Sequence, residues 1–290
     1  MFKYKYKVPK KEFDTTYGSI CIENVIFEPN EIEKVLPEII LQDDNLKHMF
    51  AIEEITPSRR KNIYKRFIPK VKTTSDMYKY VQAAIDNNKT FYSFLAEGIL
   101  GLVFRDMYNY NLARGVIDIQ ETLTDSHTGV DACMYNLKQN IIVLGEAKFY
   151  ETLEGGLKKI ISDFVEKGIK NKLESLQTGA ENCEETNQII IKNLTLDNYD
   201  ELTVDQFMNQ RIIFAGFVLH SEEDIIKYGE ISFYDKFFIS SQQLKDNICH
   251  SLNNSVDGDY EIILIHLPIK DKKSLIIKMI ETSKNKLRSV

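Results

Sequence analysis

Glu146 and Lys148 stand one residue apart near the end of an apolar run, Ile141 to Phe149 (IIVLGEAKF). In an extended strand, residues two apart face the same way, so both charged groups leave one face together. Burying a carboxylate and an ammonium there is costly unless each has a partner or a task. Asp131 stands in a second strand-like run, Val130 to Leu137. If Lys138 and Gln139 form a two-residue turn, Tyr135 pairs with Ile142, Cys133 with Leu144 and Asp131 with Glu146. Asp131, Glu146 and Lys148 then converge on one point. The turn is an assumption, because Lys-Gln is not a favoured turn dipeptide and a longer loop would shift the register. Two adjacent carboxylates repel unless a cation lies between them, and hard oxygen donors suit Mg²⁺ or Mn²⁺. A lysine beside such an ion can orient or help deprotonate a water and neutralise charge on a phosphoryl transition state. The chemistry expected is metal-assisted phosphodiester hydrolysis.

Glu97, within FYSFLAEGILGLVF, is a fourth candidate catalytic and metal-binding acid. Its neighbours at three and four residues are Ser93, Phe94, Leu100 and Gly101, so on a helix it would be partly buried and in need of a partner. A structural salt bridge is the competing account. Gly98 and Gly101 would let that helix approach a sheet closely. An acid-x-Lys tripeptide arises by chance on the order of two or three times in a chain of this length. Asp271-Lys272-Lys273 also matches, but it follows Pro268 in what reads as a polar connection without a partner acid. The weight therefore rests on the order of elements around Glu146 and Lys148, not on the tripeptide. An ion pair without catalysis is the bland alternative. His127, Asp118 and Glu121 precede Asp131 and could approach the site, although an exposed loop is the plainer reading for His127. His220, His250 and His266 lack ligand spacing and read as structural.

The elements needed to position these groups are legible around them. Asp76 is a plausible N-cap for a helix with apolar residues at Met77, Tyr80, Val81, Ala84 and Ile85. A second helix is expected from about Thr90 to Met107, then strands at Val116 to Leu123, Val130 to Leu137 and Ile141 to Phe149. The last opens apolar on both faces, as a strand covered on both sides of a sheet does. From Leu153 to Leu176 the apolar stripe changes to helical spacing. Short apolar runs at Ile212 to Leu219 and Ile262 to Leu267 read as central strands. Helices are expected around Lys236 to Leu252 and Lys273 to Leu287. The order predicts an α/β domain with a mixed sheet over residues 76–290. Residues 1–75 read as an N-terminal region with strand-like pieces from Ser19 to Phe27 and a helix from Glu31 to Leu41.

The chain has 290 residues, 43% hydrophobic and 28% charged, which suits a globular protein. No apolar run approaches the ~20 residues that span a bilayer. The basic N-terminus has no apolar stretch behind it, so a secretory signal is not expected. Cys21, Cys133, Cys183 and Cys249 lie far apart, which suits free thiols in a cytoplasmic protein. No Gly-x-x-x-x-Gly-Lys loop is present, so ATP binding by that motif is not expected. The net charge of −6 argues little, because a phosphate backbone responds to local fields. Ser58 to Lys72 holds seven cations and no acid, with Tyr64 and Phe67 among them. It is either a contact for DNA or a partner, or simply a solvated face.

These residues together resemble the PD-(D/E)xK nuclease superfamily, whose core runs helix, three antiparallel strands, helix, strand. The leading proline is replaced by Val130, at a position the superfamily can dispense with. More narrowly, TGVDACMYN followed by LGEAKFY is similar to the HamA family, the nuclease subunit of the bacterial Hachiman anti-phage system. That resemblance covers roughly Phe91 to Leu176. It implies a DNA nuclease dependent on Mg²⁺ or Mn²⁺, with a helicase partner, HamB, that restrains it until foreign or damaged DNA is sensed. The competing functions are a catalytically silent DNA-binding or scaffold subunit, and a restriction-type endonuclease. The latter would want a recognition domain larger than residues 1–75.

Overall fold

The computed structural model describes residues 6–15, 18–26, 32–49, 52–70, 75–87, 93–112, 131–136, 139, 141–167, 211–221, 239, 242–243, 246, 260–269 and 271–289. Among them are seven strands: β1 (Tyr6–Thr15), β2 (Gly18–Ile26), β3 (Asn111–Leu112), β4 (Ala132–Asn136), β5 (Ile141–Tyr150), β6 (Arg211–Ser221) and β7 (Tyr260–Ile269). The helices are α1 (Ile32–Ile40), α2 (Asp43–Met49), α3 (Pro57–Arg66), α4 (Met77–Asn87), α5 (Ser93–Tyr108), α6 (Leu153–Lys167) and α7 (Lys272–Arg288). The strands form one mixed sheet in the order β1-β2-β7-β6-β5-β4-β3. β2, β7, β6 and β5 run parallel, and antiparallel pairs lie at either edge. The mixed α/β architecture expected from the sequence is present.

β5, β6 and β7 are largely buried on both faces, and their central residues are mostly apolar. One face presents Val143, Ala147, Phe217, Ile265 and Leu267 to a large core shared with α1, α3, α5 and α7. The other carries α6. There Ile160 lies over Gly216, and a Cβ on Gly156 would meet Val218 at 2.4 Å. Glycine at 156 therefore lets the helix sit directly on the strand.

Helix starts follow local chemistry. Asp76 caps α4, accepting from the amides of Tyr78 (3.0 Å) and Lys79 (3.3 Å), as its position predicts. Thr56 caps α3 with Pro57 at its first position. Asp271, read from sequence as part of a polar connection, is the N-cap of α7 and accepts from Lys273 and Ser274. β1, α2 and α3 are elements that the sequence pattern did not reveal. Residues before 76 thus supply β1, β2 and three helices, and β2 pairs directly with β7 of the main sheet.

The expected strand Val116 to Leu123 lies outside the described residues. So do the far end of the helix expected to reach Leu176 and most of that expected from Lys236 to Leu252. No helix of the described residues is long and apolar enough to cross a membrane.

Candidate active site

The hairpin of β4 and β5 sets the geometry. Tyr135 pairs with Ile142 and Cys133 with Leu144, which is the register expected from the sequence. Of the residues around the tip, 137, 138 and 140 lie outside the described residues, so the assumed turn itself is not seen. Asp131 stands just before β4, its amide donating to the Gly145 carbonyl at 3.0 Å. This continues the ladder by one step and brings Asp131 beside Glu146. Alternation then puts Asp131, Glu146 and Lys148 on the α6 side of the sheet.

Lys148 Nζ is the hub of the cluster. It lies 3.2 Å from Asp131 Oδ2, 3.1 Å from Glu146 Oε2 and 2.9 Å from Asp163 Oδ2. Asp131 Oδ2 also accepts from the Ala147 amide at 2.8 Å, so the backbone of β5 fixes this carboxylate as well as the ammonium does. The Glu146 side chain is only 4% exposed, against 20% for Asp131. Burial pulls the Lys148 ammonium towards neutrality, but Asp131, Glu146 and Asp163 outweigh it and raise its pKa above that of ordinary lysine.

Asp163, on α6, is the functional candidate that sequence reasoning missed. Burial pushes its carboxyl up, but bonds from Lys148 and from Lys159 (2.7 Å) hold it below the usual aspartate value. The available signal was its place three residues after Ile160, on the flank of the apolar stripe. A charged residue there reads as the polar edge of an amphipathic helix.

Glu97 is half-buried on α5. That helix packs on the opposite face of β5, where Leu100 lies against Gly145. The sequence expectation put Glu97 beside Asp131 and Glu146. Beside those two, the third acid that reaches Lys148 is Asp163. Asp118, Glu121, His127 and His250 lie outside the described residues. His220 and His266, on β6 and β7, are buried and 2.9 Å apart (Nε2 to Nδ1), with their rings stacked. They share the α6 side of the sheet with Lys148, because Lys148 pairs with Val218 and Val218 with His266. Tyr150, two residues past Lys148 on the same face, is 39% exposed, and its ring lies against Gly155 at the start of α6.

Three carboxylates, Asp131, Glu146 and Asp163, meet at Lys148, and Lys159 pairs with Asp163 from the helix side. Among the described residues no group of three or more His, Cys, Asp or Glu is arranged to hold a metal ion. That does not exclude the expected chemistry. Mg²⁺ at phosphoryl-transfer sites is commonly held by one or two carboxylates, with water and substrate phosphate completing its shell. Asp131 and Glu146 fit that minimal set, and Asp131 retains Oδ1 apart from the oxygen engaged by Ala147 and Lys148.

No curated protein gives a significant match to this chain. The family model for HamA matches residues 55–282, from just before α3 through most of α7, and so takes in Asp131, Glu146, Lys148 and Asp163. The chain belongs to the HamA family, that of the nuclease subunit of Hachiman anti-phage defence.

Proposed function

We propose that the protein is a metal-dependent DNA nuclease of an anti-phage defence complex, with Asp131, Glu146 and Lys148 as its catalytic residues. The observation that carries this reading is the convergence of Asp131 and Glu146 on Lys148 at the β4–β5 hairpin, in a chain of the HamA family. The order α5, β4, β5, α6, β6 also suits a PD-(D/E)xK core. Asp131 and Glu146 would hold a Mg²⁺ or Mn²⁺ ion, which when bound supplies Lewis-acid polarisation and an acidified water. Lys148, held as an ammonium, donates hydrogen bonds and offsets negative charge building on a phosphoryl oxygen. Asp163 positions Lys148 from the helix side, and the Ala147 amide keeps Asp131 in place.

Incubating purified protein with plasmid, with Mg²⁺ and then with EDTA, tests the reading. Cleavage only in Mg²⁺ is expected, and intact plasmid in both arms would overturn it. The rival, a silent DNA-binding subunit, draws on the way the acids close on Lys148 and predicts intact plasmid throughout. A nuclease of little sequence preference also needs restraint, which we assign to a helicase partner of the HamB kind. Expressing the chain alone should then be more toxic than expressing it with that partner, and Glu146→Ala should remove the toxicity. Equal growth with and without the partner would count against restraint by it.

A further inference from the structure

The basic run of the sequence is a helix with a defined outer face. α3 buries Ile63 and Tyr64, with Phe67 just beyond its end, and turns Ser58, Lys61, Asn62 and Lys65 to solvent at helical spacing. One of its cations is used internally: Arg60 Nε donates to Asp43 at 3.1 Å. α7 packs beside α3 and carries six cations against one acid, Glu281, which pairs with Lys278. Tyr80 joins the two helices. Its hydroxyl donates to the Pro69 carbonyl just past α3 (2.7 Å), and Lys284 of α7 lies 5.2 Å from its ring centroid. Arg59, Lys61, Lys65, Lys70, Lys284 and Arg288 form no ion pair among the described residues. Exposed Glu53 and Glu54 mark the stripe's limit before the cap of α3.

We propose that the outer faces of α3 and the C-terminal half of α7 form a track for the phosphate backbone of a nucleic acid. In a chain of net charge −6, cations gathered in this way make a local positive field that the whole-chain charge conceals. The track is polar throughout: no exposed large apolar residue lies on α3 or α7 among the described residues. A protein partner would seek an apolar or aromatic centre, whereas a polyanion interface is polar and positive. α3 and α7 lie on the face of the sheet away from α6, so the track holds DNA without contributing to the cluster at Lys148. The inference rests on the nuclease reading only in naming DNA as the polyanion.

The test is fluorescence anisotropy of a labelled duplex against the full chain in EDTA, over a range of salt. Lys61→Gln/Lys65→Gln should weaken binding alike for unrelated sequences and lower the slope of log affinity on log salt by about 2. Lys284→Gln should lower it by about 1. Lys158→Gln, which changes an exposed lysine on α6 across the sheet, should leave affinity and slope unchanged. Unaltered binding by both track variants overturns the proposal, as does an equal loss in the control. If the track variants keep DNA affinity but lose affinity for poly-glutamate, the face serves an acidic protein and the proposal falls. Absence of cleavage with track-dependent binding would sink the nuclease reading and leave the track standing.

Discussion

Two buried polar groups share the α6 side of the sheet within three adjacent strands, and they resolve the cost of burial in opposite ways. Around Lys148 three carboxylates keep the lysine charged despite burial. At His220 and His266, burial holds both imidazoles neutral, His220 down to about 3, and repulsion by His220 lowers His266 further. The histidines hydrogen-bond each other as neutral rings, one donating and one accepting, and they stack. Charge survives burial where opposite charge is supplied beside it and is otherwise discarded. The neutral pair behaves as core. The charged cluster keeps ionised groups in a buried place, as sites of chemistry often do.

The largest effect should come from taking the hub from the charged cluster. Lys148→Ala strands three acids near one another, so it should lower both activity, by ~10²-fold or more, and stability, by about 3–5 kcal/mol. Glu146→Ala should match the loss in cleavage but cost less stability, because Lys148 keeps Asp131 and Asp163. Rates and melting temperatures measured together check the split. A well-folded Glu146→Ala/Lys148→Ala protein that cuts DNA normally would remove the cluster from catalysis.

Asp131→Asn preserves shape and the Ala147 contact but withdraws one charge from the proposed ion. The Mg²⁺ concentration for half-maximal cleavage should rise while DNA affinity in EDTA holds. An unchanged metal requirement would place Asp131 outside the ion's ligands. Asp163→Asn should act less on cleavage than Glu146→Ala and cost about 1–3 kcal/mol, as expected when one partner of a buried bond is altered. If Asp163→Asn abolishes cleavage without a change in melting temperature, Asp163 acts at the reaction centre and not through Lys148.

The histidine pair should give the smallest effect, seen on acidification. Their folded pKa values lie below 6.5, so the unfolded chain takes up protons first and stability falls as pH drops from about 6.5 towards about 3. His48, lowered to about 4 by burial and by Arg105, contributes in the same direction. His220→Leu/His266→Leu should flatten the melting-temperature curve between pH 6.5 and 4.5, since apolar replacements leave nothing there to protonate. A slope identical to wild type would show that these rings are not the source.

The hairpin was legible in the sequence as two neighbouring strand-like runs, and the pairing of Cys133 with Leu144 followed from the turn assumed at Lys138 and Gln139. The parallel centre was legible from two short apolar runs, Ile212 to Leu219 in β6 and Ile262 to Ile265 in β7. Asp163 was not, because its meeting with Lys148 depends on how α6 lies across the sheet, which Gly156 and Gly216 set by close approach. α3 escaped pattern reading because few of its residues are apolar, although Thr56 and Pro57 are start signals. The histidines stand on elements 46 residues apart, and their contact follows from β6 lying parallel beside β7. Glu97 was singled out for its apolar helical surroundings, and it is half-buried on α5 as that reading expects.

The chain contains fifteen tyrosines and no tryptophan. Tyr150, on the strand face that carries Glu146 and Lys148, lies ~7 Å along β5 from Lys148 with its ring turned partly to water. Tyr150→Trp would thus install a single indole emitter at the rim of the cluster. Its emission, distinct from the tyrosine background, would report ion entry and DNA arrival as separate optical events on an otherwise unlabelled protein.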